Sequence, residues 1–365
     1  MRTAASPRRA PGARTPASRV ARAALKAIGS ALVVAALGAA GWLAYTSSAK
    51  TDREVLSPLL MPSQSGRWLA APGARIHARE WGDPRAPALL LVHGTGAWSG
   101  TWFGLPDALA AAGWHVVGID LPPFGLSTTD STPGDYTRAT QARRVLAAAR
   151  SLQGPVALMG HSFGAGPALE AAMISSAERG PIAQLILVDA ALGLGPHGEA
   201  PECAAPPASA LLARRGLREA LVAATATWPG LTSTMLKSFV HRKQVVDESL
   251  LPAYRVPFSR TGYSGQLGDW AWAFAASACE DALSLSPRQV QAWAAAFPGP
   301  VDIIWGARDE ITPVDQALAL SRWMPKAGLR MLDDVGHIPH IEDPAAFAAA
   351  ILAALGMPGT GPASR

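Results

Sequence analysis

At 365 residues, 49% of them hydrophobic, the chain can bury a large core, and length alone allows two domains or one domain with an insertion. The formal charge of +5 arises at the N-terminus: seven of the 32 Lys and Arg stand before residue 27 without an acid, leaving 25 basic against 27 acidic residues elsewhere. A near-neutral globular part excludes nucleic-acid binding by a basic face, and the His are scattered without ligand spacing, so no metal and no cofactor is expected.

Residues 1–23 are rich in Arg, Ala and Pro and read as a disordered basic tail. No charge occurs between Lys26 and Lys50, and Ala27 to Tyr45 as a helix would measure about 28 Å, close to a bilayer's hydrocarbon thickness. With basic residues ahead and Trp42 and Tyr45 at the far end, residues 24–46 read as a signal-anchor: one pass through the cytoplasmic membrane, the remainder outside the cytoplasm. Ser47-Ser48-Ala49 offers small residues at a cleavage point, which keeps open a removed signal peptide and a secreted or periplasmic protein. Residues 47–66 read as a polar linker.

From residue 67 onward, short apolar runs bounded by Gly or Pro alternate with Ala-rich helical stretches, the pattern of a mostly parallel sheet covered by helices on both faces. Strands are predicted at Arg75 to Glu80, Ala88 to Val92, His115 to Ile119, Val156 to Met159, Leu185 to Val188, Val301 to Trp305 and Leu329 to Leu332. Helices include Gln141 to Ser151, Ala165 to Ser176, Val314 to Arg322 and Pro344 to Leu355. The alternation pauses in a helical, aromatic-rich stretch, which divides the α/β core into residues 67–191 and 287–358 around an inserted lid, 192–286, with a short tail at 359–365. Cys203 and Cys279 lie near the two ends of the lid; a disulfide is one expectation for an exported protein, two buried thiols the other.

Gly160-His161-Ser162-Phe163-Gly164 joins a predicted strand to a predicted helix, a context in which Ser sits on a sharp turn, its hydroxyl raised above the sheet edge. A Ser hydroxyl needs a base, and His337, in the loop after the last strand, is the best placed, with His340 the alternative. A carboxylate must orient that imidazole: Asp309, after the strand ending at Trp305, gives the order Ser162, Asp309, His337, while Glu310 is adjacent and Asp189 ends an earlier strand. Oxyanion donors are expected from the amide of Phe163 and from Thr95 in His93-Gly94-Thr95-Gly96, with His93 bracing that loop.

These residues resemble those of the α/β-hydrolase superfamily, lidded serine-nucleophile branch, over roughly Leu69 to Leu355. The segment Gly118 to Ser127 is similar to the branch's Asp-Leu-Pro-Gly-Phe-Gly-x-Ser, with Pro123 where Gly is usual, and Gly336 to His340 followed by Glu342-Asp343-Pro344 resembles its final segment. Lids closed by a Tyr and a Pro are similar to Val246 to Gly262. Ser162 stands where epoxide hydrolases and haloalkane dehalogenases carry Asp, which argues against both, and the elbow lacks the Gly-Gly-Ser-Trp-Gly of prolyl aminopeptidases. The resemblance implies an α/β-hydrolase fold and a serine hydrolase, an esterase acting through an acyl-enzyme. The same groups would serve an acyltransferase, a carbon–carbon hydrolase or a cofactor-free perhydrolase, and a non-catalytic binding protein is the remaining class. A small apolar or aromatic ester is the expected substrate, with Trp98, Trp228, Tyr263, Trp270 and Trp272 as candidate binding residues and core packing as the competing role for each.

Overall fold

The computed structural model describes residues 16–57, 66–193 and 212–356, with the side chains of 16–34 and 276–284 outside the description. A nine-stranded sheet organises them: β1 (Gly66–Ala71), β2 (Ala74–Trp81), β3 (Ala88–Val92), β4 (His115–Ile119), β5 (Thr128–Thr129), β6 (Val156–His161), β7 (Ile182–Val188), β8 (Val301–Gly306) and β9 (Gly328–Leu332), in the order β1-β2-β4-β3-β6-β7-β8-β9 with β5 beside β2. From β4 to β9 every pairing is parallel, and β1 and β2 add an antiparallel edge. Each of the seven strands expected from the apolar runs is present; β1, with a single buried residue, and β5, only two residues long, lie outside those runs, and both are stabilised by pairing with β2.

Strands β3, β4, β6 and β8 are buried at every position, as parallel strands covered on both faces must be. Side chains alternate between the faces. Leu90, Val92 and Leu158 join a core under α3 (Arg138–Arg150), α4 (Ala165–Ala177), α9 (Pro287–Ala296) and α10 (Val314–Trp323). Leu89, Leu91 and Met159 join a second core under α2 (Leu105–Ala111) and α12 (Pro344–Leu355). Local chemistry sets the ends of α12: Asp343 Oδ1 accepts from the Ala346 amide at 3.0 Å and Pro344 takes the first helical position, where its missing N–H costs nothing.

Between β7 and α9 the chain builds a helical roof from α5 (Arg215–Ala224), α6 (Thr232–Phe239), α7 (Leu251–Arg255) and α8 (Tyr263–Ser284). Asp269 of α8, 3% exposed, accepts from Arg215 Nε at 2.9 Å and from an Arg218 guanidinium nitrogen at 2.8 Å, which ties α8 to α5. The roof is joined to the sheet domain by Glu342, in α11 (Pro339–Glu342), whose carboxylate accepts from the His241 and Arg242 amides at 2.9 Å and from Ile338 at 3.3 Å. The expected pairing of Cys203 with Cys279 lies outside the described residues.

The N-terminal segment differs from its expected form. A single helix, α1 (Pro16–Arg53), runs through residues 47–53, which composition had assigned to a linker, and its C-terminal half docks on the roof. Trp42 Nε1 donates to the Ala224 carbonyl at 3.3 Å, the Trp42 and Tyr45 rings meet Trp228 at 5.1 and 5.7 Å, and Lys50 pairs with Glu219. Beyond the helix, Glu54 accepts from both the amide and hydroxyl of Ser264, and Leu56 bridges to Arg260 in a short extended pairing. Among the described residues no helix is long and apolar enough to cross a membrane; of the expected span 24–46, the side chains up to residue 34 lie outside the description.

Candidate active site

Strand β6 ends at His161 and the chain turns at once: Ser162 has φ +52°, a left-handed conformation uncommon for a residue with a Cβ. Two glycines make the turn possible. A Cβ on Gly160 would lie 2.7 Å from Ala165 Cα, and one on Gly164 would lie 2.5 Å from the His93 carbonyl oxygen. Such strain in a buried serine directs its hydroxyl out of the sheet edge rather than into the helix that follows.

Three loops at the carboxyl edge then converge. His337 Nε2 lies 2.8 Å from Ser162 Oγ, and His337 Nδ1 lies 2.8 Å from Asp309 Oδ2. The loops carrying Asp309 and His337 are bonded to each other through Ala307 N to Leu332 O at 2.9 Å and Arg308 N to Val335 O at 2.8 Å. Asp309 also accepts from the amides of Ile311 and Thr312 at 2.8 and 3.0 Å and from the Thr312 hydroxyl at 2.6 Å. Burial pushes the Asp309 carboxyl up, but the bonds from His337 and Thr312 more than offset it, so the group lies below the ordinary carboxylate range. An ionised carboxylate on Nδ1 holds the proton there and leaves Nε2 free to accept from Ser162.

The expected oxyanion donors sit beside this relay. A Cβ on Gly94 would lie 3.0 Å from Ser162 Cβ, so the loop carrying Thr95 abuts the elbow. Thr95 lines the cavity, and its amide makes no backbone hydrogen bond among the described residues. Phe163 opens the turn into α4, where the first amides have no partner within the helix. His93 accepts from the Leu121 amide on Nε2 at 3.0 Å and donates from Nδ1 to the Gly94 carbonyl at 2.8 Å, which braces the loop.

Two more imidazoles line the cavity, and both are neutral. His161, held well below the usual range by burial and then by His337 and His340, donates from Nε2 to the His337 carbonyl at 2.7 Å. His340 packs its ring 4.8 Å from Trp102, without a bond to Ser162 among those observed; burial and then His337 push it down to about 3. Because the unfolded chain binds a proton on that histidine near pH 6.5 and the folded one does not, its stabilising contribution is full above about pH 6.5 and is lost as pH falls toward 3. Urea unfolding of the wild type should therefore weaken between about pH 6 and 4 by about 1.4 kcal/mol per pH unit more than that of His340→Phe. Equal slopes for the two proteins would contradict a neutral His340.

Above the relay lies a cavity of about 210 Å³, walled mainly by carbon: Phe124, Met235, Leu236, Phe239, Phe258, Leu267 and Trp270. Of the aromatic residues proposed from sequence, Tyr263 and Trp270 line it. The other three do not, each because a different neighbour claims the ring. Trp98 is buried with Leu126 and donates to the Ala253 carbonyl at 2.8 Å. Trp228 packs under Trp42 and Tyr45, and Trp272 turns away to stack with the Arg218 guanidinium at 5.4 Å. Phe239, Phe258 and the Leu and Met lining residues carried no local signal, because their inward direction depends on how the roof helices pack.

A model of the alpha/beta hydrolase fold matches residues 87–344. An uncharacterised protein of Mycobacterium tuberculosis is 28% identical over 276 residues, covering 72% of this chain and 73% of its own. The pimeloyl-[acyl-carrier protein] methyl ester esterase of Methylococcus capsulatus is 26% identical over 266 residues, covering 70% of this chain and 90% of its own. Among solved structures, a bacterial membrane phospholipase A superposes with a TM-score of 0.56 at 23% identity, covering 93% of this chain and 98% of that one. With its parallel sheet, its strand-to-helix elbow and a family match over most of its length, the chain belongs to the α/β-hydrolase fold family.

Proposed function

We propose that the protein hydrolyses carboxylic esters with an apolar acyl group through an acyl-enzyme on Ser162. The observation that carries this reading is the unbroken relay Ser162, His337, Asp309 on the floor of a carbon-walled cavity. As Ser162 Oγ attacks the acyl carbonyl, His337 Nε2 takes its proton, and the oxyanion lies between the amides of Thr95 and Phe163. His337 then returns the proton to the departing alcohol, and water repeats the sequence on the acyl-enzyme. Relatives named as a methyl ester esterase and a membrane phospholipase A are consistent with ester substrates.

The same proposal includes a seat on the cytoplasmic membrane, with the enzyme outside the cytoplasm. The uncharged stretch after Lys26 supports it, and the docking of Trp42 and Tyr45 on Trp228 favours a retained helix over a removed signal. One experiment tests both parts: fractionate cells expressing the full chain and assay each fraction with p-nitrophenyl esters of acetate through palmitate. Activity should follow full-length protein into the membrane fraction, with kcat/KM rising at least about tenfold from acetate to a medium chain as methylenes enter the cavity. No hydrolysis of any ester would overturn the enzymatic reading, acyl transfer to an added alcohol without hydrolysis would replace it, and a soluble chain starting near residue 50 would overturn the anchor.

A further inference from the structure

Among the buried acids that the relay does not use, Asp189 stands nearest to Asp309 along the sheet edge. Asp189 follows β7, beside the strand that leads to Asp309, with 0% exposure and φ +43°. Its backbone is fixed by its amide, which donates to the Ile304 carbonyl at 3.1 Å. One carboxyl oxygen accepts from the Gly306 amide at 2.8 Å. The other is buried with no hydrogen-bond donor among the described residues, and Asp309 is its neighbour: the Thr312 hydroxyl lies 3.2 Å from the Asp189 carbonyl oxygen and 2.6 Å from Asp309 Oδ2.

Two buried carboxyl groups whose residues flank one hydroxyl cannot both be ionised without a large repulsion, so one of them holds a proton. The donors decide which. Asp309 accepts from two amides, a hydroxyl and the His337 ring, an environment that favours the anion. Asp189 has a single amide, an environment that leaves an oxygen free to carry hydrogen. Burial, and then the charge of Asp309, push Asp189 well above the ordinary carboxylate range, in agreement with the donor count.

We infer that Asp189 is a positioning residue, a neutral carboxylic acid that donates its proton to Asp309, holding that carboxylate toward His337 and keeping it a weaker base. The inference rests on the relay proposed above. Around the pair, Glu342 also faces Asp189, and His337 is faced by His161 and His340, both neutral, so Asp309 is the anion nearest to both groups. Removing the donated proton makes Asp309 more basic, and His337 then retains its own proton to higher pH.

The test reads the pH dependence of Ser162 labelling by a fluorophosphonate, in which the serine oxygen bonds phosphorus as fluoride leaves, so that it needs no knowledge of the natural substrate. In Asp189→Ala the acid limb of the labelling rate should move up by about one pH unit, slowing labelling along that limb by about tenfold. Asp189→Asn should restore the wild-type limb: asparagine tolerates the left-handed backbone, its carbonyl can accept from Gly306 and its N–H can donate to Asp309. A limb that moves down in Asp189→Asn would mean that an anion had been removed, and a limb unmoved in Asp189→Ala would mean that no bond had been lost; either overturns the inference. Asp189→Asn, nearly isosteric, decides the matter alone should the alanine protein not fold. Failure of the wild type to label at any pH would overturn the relay itself and this inference with it, a result distinct from a displaced limb.

Discussion

An alanine at Ser162 or at His337 is expected to lower ester turnover by about 10⁴- to 10⁶-fold, and the double variant to lose no more than either single one. The two atoms that meet, Ser162 Oγ and His337 Nε2, are 2.8 Å apart. Neither acts without the other: a hydroxyl without its base stays neutral and attacks poorly, and a base without the hydroxyl has no proton to take. The residual rate comes from the oxyanion donors and the cavity, which both substitutions leave in place. Asp309→Asn should lose less, since Thr312 and the amides of its own loop still hold the side chain beside His337 while the charge is gone. Steady-state kinetics on one reactive ester, with melting curves to establish folding, measure the effect. Near wild-type turnover in His337→Ala together with its loss in His340→Ala would move the base to His340, and additive losses would break the coupling.

The second large effect is expected from a single methyl group at Gly164. Its Cβ would lie 2.5 Å from the His93 carbonyl oxygen and 2.8 Å from the Val92 carbonyl oxygen, both backbone atoms at the end of β3 that cannot swing aside as a side chain would. Gly164→Ala must therefore push the elbow away from the loop that carries Thr95, separating Phe163 and Thr95, the two proposed oxyanion donors, while leaving the chemistry of Ser162, His337 and Asp309 unaltered. A displacement near 1 Å at a reacting centre costs about 10²-fold, and loss of one oxyanion donor about 10²- to 10³-fold. The expected result is a fall in kcat of at least about 10²-fold with a lowered melting temperature. Gly96→Ala makes the control: no atom lies within 4 Å of its added Cβ, although φ of +71° strains it, so it should lose stability while its kcat falls far less. Equal kcat in Gly164→Ala and the wild type would show that the elbow and the oxyanion loop do not depend on that contact.

How much could be read before folding follows from the range of each interaction. The central strands were legible because parallel strands buried on both faces must be largely apolar, as Ala88–Val92 is throughout and His115–Ile119 is after its first residue, and a run of that kind needs no knowledge of its partners. The half-buried β1 and the two-residue β5 carry no such run, and their existence depends on pairing with β2. Ser162, Asp309 and His337 were legible for a related reason: each follows a strand at the same edge of a parallel sheet, so chain order alone brings their loops together.

The tertiary structure decided what depends on direction and distance. Which acid meets His337 is a matter of a 2.8 Å contact, and the sequence left Asp189, Glu310 and Asp309 all open; the fold gives the contact to Asp309 and sets Asp189 behind it. Which aromatic rings face the cavity follows from how the roof helices and the loops after β3 and β4 pack on one another, and so Trp98, Trp228 and Trp272 are claimed by other neighbours while Phe124 and Phe239 look inward. The stretch after Tyr45 is polar enough to read as a linker, yet Glu54 finds Ser264 across 210 residues of sequence. Periodicity is a property of neighbours along the chain, and the sequence by itself determines the central strands and the order of Ser162, Asp309 and His337 along the sheet edge; partners brought together by folding have no such signature, and the roof, its clasp to α1 and the second acid belong to them.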